Sequence, residues 1–115
     1  MKSHPLKKAM YVISGRWRAV LIYFLLDGPK RFSDLQRDLP SISRRMLTFD
    51  LKKLEEGGVI SRTVYPEVPV RVEYQLTPSG MALSPIIHGL YSWGQCIKKE
   101  QAAAKIDPLI SSSVE

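Results

Sequence analysis

The spacing of apolar residues along the chain changes near residue 58, from helical intervals to alternation. Between Arg16 and Leu26, the positions Trp17, Val20, Leu21, Phe24 and Leu25 follow i, i+3, i+4, i+7 and i+8, the stripe of an amphipathic helix. Leu6, Met10 and Ile13 predict a shorter helix before it, within an N-terminal segment 5–15 that Ser14-Gly15 interrupts. From Ser43 to Glu56, Leu47, Leu51 and Leu54 fall in one sector at about 100° per residue, and Arg45, Thr48, Phe49 and Lys52 point the other way. Ser43 is a good N-cap for this helix, and Gly57-Gly58 supplies the left-handed residue that ends helices.

The stretch from Phe32 to Leu39 reads as a short helix, with Ser33 and Gln36 as a capping box and Pro40 as its stop. Only Pro40-Ser41-Ile42 separates it from Ser43. Lys30-Arg31-Phe32, just before it, is long enough for a minimal edge strand. After Gly58 the period becomes two. Val59 to Tyr65 and Val70 to Leu76 are predicted strands, the second with Val70, Val72, Tyr74 and Leu76 on one face. Pro66-Glu67-Val68-Pro69 is a stiff loop between them. Thr77-Pro78 then opens a final helical region as N-cap and first helical residue, which Pro85 kinks or restarts with Ser84 as a second N-cap. There Ile86, Leu90, Trp93 and Ile97 recur at steps of 4, 3 and 4, with Ile87 and Gly94 alongside, as a seam for another helix.

Two short helices joined by a tight turn and followed at once by a β-hairpin make a winged helix-turn-helix, in which the second helix enters the DNA major groove. The expected fold is α+β and mostly helical, a single domain over residues 1–115. It comprises the N-terminal helix (5–15), a winged helix-turn-helix core (16–77), a C-terminal dimerisation helix (78–106) and a frayed tail (107–115).

Charge supports this reading in its placement more than in its total. The chain carries 17 Lys/Arg and 11 Asp/Glu, a net +6. Residues 1–31 hold seven bases against Asp27, whereas residues 32–77 hold seven of each sign. The DNA-reading unit is therefore neutral overall, and its binding rests on where charges sit. Arg44 and Arg45 open the central helix while Glu55 and Glu56 close it, the reverse of what the helix dipole favours. A basic helix start is suited to an anion.

Other chemistries find little support. His4 and His88 are far apart, and neither is spaced with a Ser, Cys or carboxylate as a nucleophile motif, so no enzyme is expected. His88 and Cys96 lie eight residues apart, about 12 Å along one helix, too far to share a metal. No metal or cofactor is expected. Cys96 reads as a packed small apolar residue, and Trp17 and Trp93 as core or interface anchors. One cysteine, no signal-peptide core and no apolar run near the roughly 20 residues that span a bilayer point to a reducing cytoplasm and no membrane.

Several stretches together resemble the HxlR-type bacterial transcriptional regulators: Trp17-Arg18, Leu26 to Phe32, Leu39 to Ser43, Met46-Leu47-Thr48, Leu54 to Gly58, and Val64-Tyr65-Pro66-Glu67-Val68-Pro69 through Val72 to Thr77. The resemblance runs from about residue 5 to Trp93-Gly94. It implies a homodimeric winged-helix protein that binds palindromic operators, with its dimer interface from the N- and C-terminal helices. It also implies a DNA-contacting helix from Ser43 to Glu56 and a wing from Tyr65 to Arg71. Many members carry a cysteine directly before the N-terminal proline, and in several it senses oxidants or electrophiles. Here His4 stands before Pro5 and Cys96 matches no sensor position, so the resemblance does not extend to thiol sensing at that site.

The expected DNA contacts are Arg45 and Lys52 to guanine or phosphate, Thr48 and Phe49 to a thymine methyl, and Arg44, Arg16 and Arg71 to phosphates, with Ser43 at the helix start. The expected dimer face comprises Leu6, Met10, Ile86, Ile87, Leu90, Trp93 and Ile97. Two further readings stay open: a winged-helix protein–protein interaction module without specific DNA binding, and an unidentified small-molecule effector held between Trp17, Tyr91 and Trp93.

Overall fold

Eleven apolar side chains between residues 21 and 60 form the core: Leu21, Ile22, Leu25, Leu35, Leu39, Ile42, Leu47, Leu51, Leu54, Val59 and Ile60 are all buried. The structure is a computed structural model that describes residues 4–104. Its order is α1 (Pro5–Ile13), α2 (Arg18–Leu25), β1 (Lys30–Arg31), α3 (Phe32–Asp38), α4 (Arg44–Glu56), β2 (Ile60–Tyr65), β3 (Arg71–Leu76), α5 (Pro78–Met81) and α6 (Ser84–Ala104). Positions 105–106 and the tail 107–115 lie outside the described residues.

α2 begins two residues later than the apolar pattern predicts, because Gly15 takes φ +111° and the chain bends before Trp17, which is the N-cap. The helix buries Ile22 as well as Leu21 and Leu25. It packs against both α4 and β3, so its buried face is wider than one stripe. α1 ends at Ile13, and Ser14 is its C-cap. The His4 imidazole caps its start, Nδ1 accepting from the Leu6 N–H at 3.1 Å.

The predicted Ser33–Gln36 capping box is not the one that forms. α3 begins at Phe32, directly after β1, and Arg31 is its N-cap. The Asp34 carboxylate reaches back to accept the Arg31 backbone N–H at 2.9 Å. Leu39 and Ile42 then anchor the turn, with the Ile42 N–H donating to the Leu39 carbonyl at 3.1 Å. α4 starts as predicted, the Ser43 hydroxyl accepting from the Met46 N–H at 3.0 Å. At its end Gly58 takes the left-handed conformation (φ +75°), while Gly57 stays helical at φ −78°. Gly57 is small for another reason: a Cβ there would lie 2.9 Å from Cγ1 of Val12 in α1.

The sheet order is β1-β3-β2, all antiparallel. β2 and β3 pair from Ile60 opposite Leu76 to Tyr65 opposite Arg71, and the two-residue β1 adds Lys30 opposite Tyr74. Only Ile60 is buried in the two long strands, so the hairpin projects from the core as a wing. Thr77 caps α5 by accepting from the Gly80 N–H at 3.1 Å. Gly80 admits no side chain, since a Cβ would fall 2.1 Å from the Val59 carbonyl oxygen.

The contacts divide the chain into two compact units, one ending at Ser84 and the other beginning at Pro85. The break falls at the residues the sequence marks as a restart, with Ser84 the first helical residue rather than the N-cap. α6 runs 21 residues. Ile86, Leu90 and Trp93 are 51%, 43% and 64% exposed, Ile97 is half-buried, and Ile87 is buried. Among the described residues no helix is long and apolar enough to cross a membrane.

Candidate nucleic-acid interface

One side of α4 is spent entirely on the core and the other entirely on the surface. Leu47, Leu51 and Leu54 are buried, and Ser43, Arg44, Arg45, Thr48, Phe49 and Lys52 are exposed. Arg44, Arg45, Thr48, Phe49 and Lys52 together line an open depression along the helix. Helical spacing therefore brings five of the predicted DNA contacts onto one surface, with Ser43 at its N-terminal end.

Each side chain there has a defined state. The Arg44 guanidinium lies 5.0 Å from the centroid of the Phe32 ring, a cation–π contact that links the two helices of the motif. Thr48 donates its hydroxyl to the Arg44 carbonyl at 2.9 Å, so the polar end of this side chain is engaged within the helix. Phe49 is 51% exposed and flanked by cations, Arg18 at 5.9 Å and Lys53 at 5.5 Å from its ring centroid. Arg45 and Lys52 make no side-chain hydrogen bond or ion pair among the described residues. No acidic residue occupies the first turn, so nothing there offsets the charge of Arg44 and Arg45.

Beneath this surface lies a pair absent from the predicted site. Asp50 is 3% exposed and occupies the apolar stripe of α4. Its Oδ1 accepts from Arg18 Nε at 3.2 Å, and its Oδ2 has no hydrogen-bond partner. Arg18 Nη1 also donates to the Tyr11 and Val12 carbonyls at 3.3 and 3.5 Å. A single guanidinium thus ties the end of α1 and the start of α2 to the middle of α4.

The remaining predicted residues are dispersed. Arg16 is exposed, with its guanidinium 5.7 Å from the Trp17 ring centroid. Arg71, the predicted wing contact, is held by two carboxylates. Its Nε and Nη2 donate to Glu67 Oε1 and Oε2 at 3.2 and 2.8 Å, and Nη1 donates to Glu73. The side-chain bond from Arg71 holds the Glu67 carboxyl below its ordinary range, and both acids raise the arginine. Leu6 and Met10 are 64% and 47% exposed on α1. Trp17 is half-buried; Tyr91 and Trp93 are exposed on α6, where Tyr91, Gly94, Gln95, Lys98, Lys99 and Ala102 line a shallow groove. Cys96 is exposed rather than packed. Among the described residues no group of His, Cys, Asp and Glu is arranged to hold a metal ion.

A two-helix motif with a basic second helix, buttressed by a three-stranded sheet whose hairpin projects as a wing, defines a winged helix-turn-helix protein. The family model for HxlR-like helix-turn-helix proteins matches residues 12–102, and the chain belongs to that family. The HTH-type transcriptional regulator YdeP of Bacillus subtilis is 42% identical over 110 residues, covering 92% of this chain and 86% of that protein. The redox regulator HypR in its reduced form superposes with a TM-score of 0.81 at 40% identity, over 87% of this chain and 99% of that one. The reduced form of the regulator YodB from B. subtilis does so with a TM-score of 0.72 at 38% identity, over 81% and 91%. The protein is a transcriptional regulator of the helix-turn-helix type, not an enzyme.

Proposed function

We propose that this regulator binds palindromic operator DNA as a homodimer, with α4 in the major groove and the wing over the flanking backbone and minor groove. The observation that carries the reading is that Arg45 and Lys52 have no side-chain partner among the described residues and share one exposed face with Thr48 and Phe49. Arg45 and Lys52 suit guanine O6 and N7 or a phosphate. With its hydroxyl bonded inward, Thr48 offers its methyl, and Phe49 its ring edge, to a thymine methyl. Arg44, Arg16 and the Ser43 end of the helix approach phosphates, which position the protein without reading sequence. Each base contact of this kind is worth about 1–3 kcal/mol.

The dimer rests on apolar surface exposed on α6 (Ile86, Leu90, Trp93, beside the half-buried Ile97) and on α1 (Leu6, Met10); the expected Ile87 is buried and drops out of this face. One winged helix buries a small DNA contact, and two recognition helices about 34 Å apart read successive major-groove turns. A gel shift on the DNA upstream of the protein's own reading frame tests the reading at low salt. Sequence-dependent retardation that Arg45→Ala weakens about tenfold or more is expected. Retardation indifferent to sequence and to Arg45→Ala contradicts it and favours a protein–protein module.

A further inference from the structure

The wing arginine already sits in a site of the kind DNA offers. Arg71 uses three of its five N–H donors on carboxylate oxygens, two of them in a bidentate bond to Glu67. Its guanidinium also stacks on the Tyr65 ring, 3.8 Å from the centroid. Tyr65 and Arg71 are directly opposite at the end of the hairpin, so the cluster is fixed by strand register. Two carboxylates surround the Arg71 guanidinium, and with Arg31 opposite Glu73 on the neighbouring strand the cluster is neutral overall. A phosphate approaching the wing meets carboxylate oxygens on the Arg71 donors rather than a free guanidinium.

The acids differ in exposure. The Glu67 side chain is 52% exposed in the loop, whereas that of Glu73 is 20% exposed within β3. An exposed pair is weak and exchanges readily, so Glu67 is the group a phosphate can displace. Bidentate Arg–carboxylate and Arg–phosphate geometries are alike, which lets a phosphate oxygen pair replace the Glu67 oxygens while Tyr65 and Glu73 keep the guanidinium oriented. Neither acid belongs to the set of expected DNA contacts.

We propose that Glu67 and Glu73 are specificity-determining residues that mask Arg71 as an internal stand-in for phosphate, so that the wing engages DNA only when α4 has seated in its site. This rests on the DNA-binding reading above. Non-specific attraction is set by the number of phosphates neutralised, so a masked arginine lowers the background without removing the contact from the specific complex.

The test measures the affinity of the full chain for a specific and a random duplex across a salt series. Glu67→Gln is expected to tighten binding to random duplex and to steepen its salt dependence by about 0.9 in log–log slope per wing engaged. That equals a roughly threefold larger loss of affinity between about 50 and 200 mM salt. The ratio of specific to random affinity is expected to fall. Glu55→Gln, the same charge change at the end of α4, should give a smaller gain, and Arg71→Gln added to Glu67→Gln should erase it. Equal gains from Glu67→Gln and Glu55→Gln would reduce the effect to net charge and overturn the proposal. So would a Glu67→Gln variant with an unchanged random-duplex slope, while wild type still binds its specific duplex. Wild-type protein that binds neither duplex instead overturns the DNA-binding reading beneath it.

Discussion

Removing either member of the Arg18–Asp50 pair leaves the other charge in the interior without its counter-ion. The two side chains are 14% and 4% exposed, and Asp50 has a second oxygen already without a partner. Breaking a buried pair from one side costs about 3–5 kcal/mol, whereas replacing both by apolar residues of similar volume is often neutral. Arg18→Ala and Asp50→Ala should therefore each lower the unfolding free energy in urea by about 3–5 kcal/mol. The Arg18→Met, Asp50→Leu double variant should lose much less, and a double variant as unstable as the singles would refute this. The burial of Asp50 was legible: Leu47, Asp50, Leu51 and Leu54 are i, i+3, i+4 and i+7, so an acid stands within the buried stripe. Its partner was not, because Arg18 lies 32 residues earlier and only the packing of α2 on α4 brings it close. The exposed residues of α4 were readable by the same helical period, which separates Arg45, Thr48, Phe49 and Lys52 from the leucines without any tertiary information.

At the scale of elements, α3 shows how a boundary depends on its neighbour. Ser33 and Gln36 satisfy the local capping rule, yet the helix begins at Phe32 because Arg31 is fixed in β1 opposite Glu73. The sequence marks Lys30-Arg31-Phe32 as a minimal strand, but its pairing with β3, which sets the start of α3, is tertiary. The working cap is Asp34. Its carboxyl lies below the ordinary 3.8, chiefly through the Arg31 backbone N–H and then through Arg37. A carboxyl lowered in the folded state stabilises it fully above the unfolded pKa, and that contribution disappears as pH falls through the folded value. Asp34→Ala should cost about 1 kcal/mol at pH 7. The gap from wild type should close in acid below the ordinary carboxylate range. Urea denaturation of both proteins at neutral and acid pH checks this; a gap that persists in strong acid would mean that Asp34 acts through packing instead.

For the molecule as a whole, the period change from helix to strand and back gave the winged helix-turn-helix, since each element is specified by its own few residues. What escaped it were charge pairings: Arg18 meets Asp50 32 residues on, and Arg71 turns to Glu67 and Glu73, near in sequence but brought around one guanidinium only by the geometry of the hairpin. The exposed face of α6 bears on assembly. With Ile86, Leu90 and Trp93 between 43% and 64% exposed, a second copy is the proposed cover. Leu90→Ala with Trp93→Ala should shift sedimentation at micromolar concentration from dimer toward monomer, and operator affinity should fall with it although α4 is untouched. A wild-type chain that sediments as a monomer yet protects a two-fold symmetric site would rule the dimer out. The most direct measurement is selection of bound duplexes from random DNA, performed with wild type and with Arg45→Ala. Wild type should enrich a palindrome whose half-sites are about 34 Å apart, and Arg45→Ala should lose one base preference in each half. Enrichment of no sequence by wild type at low salt, or of the same sequence by both proteins, would contradict a recognition role for α4.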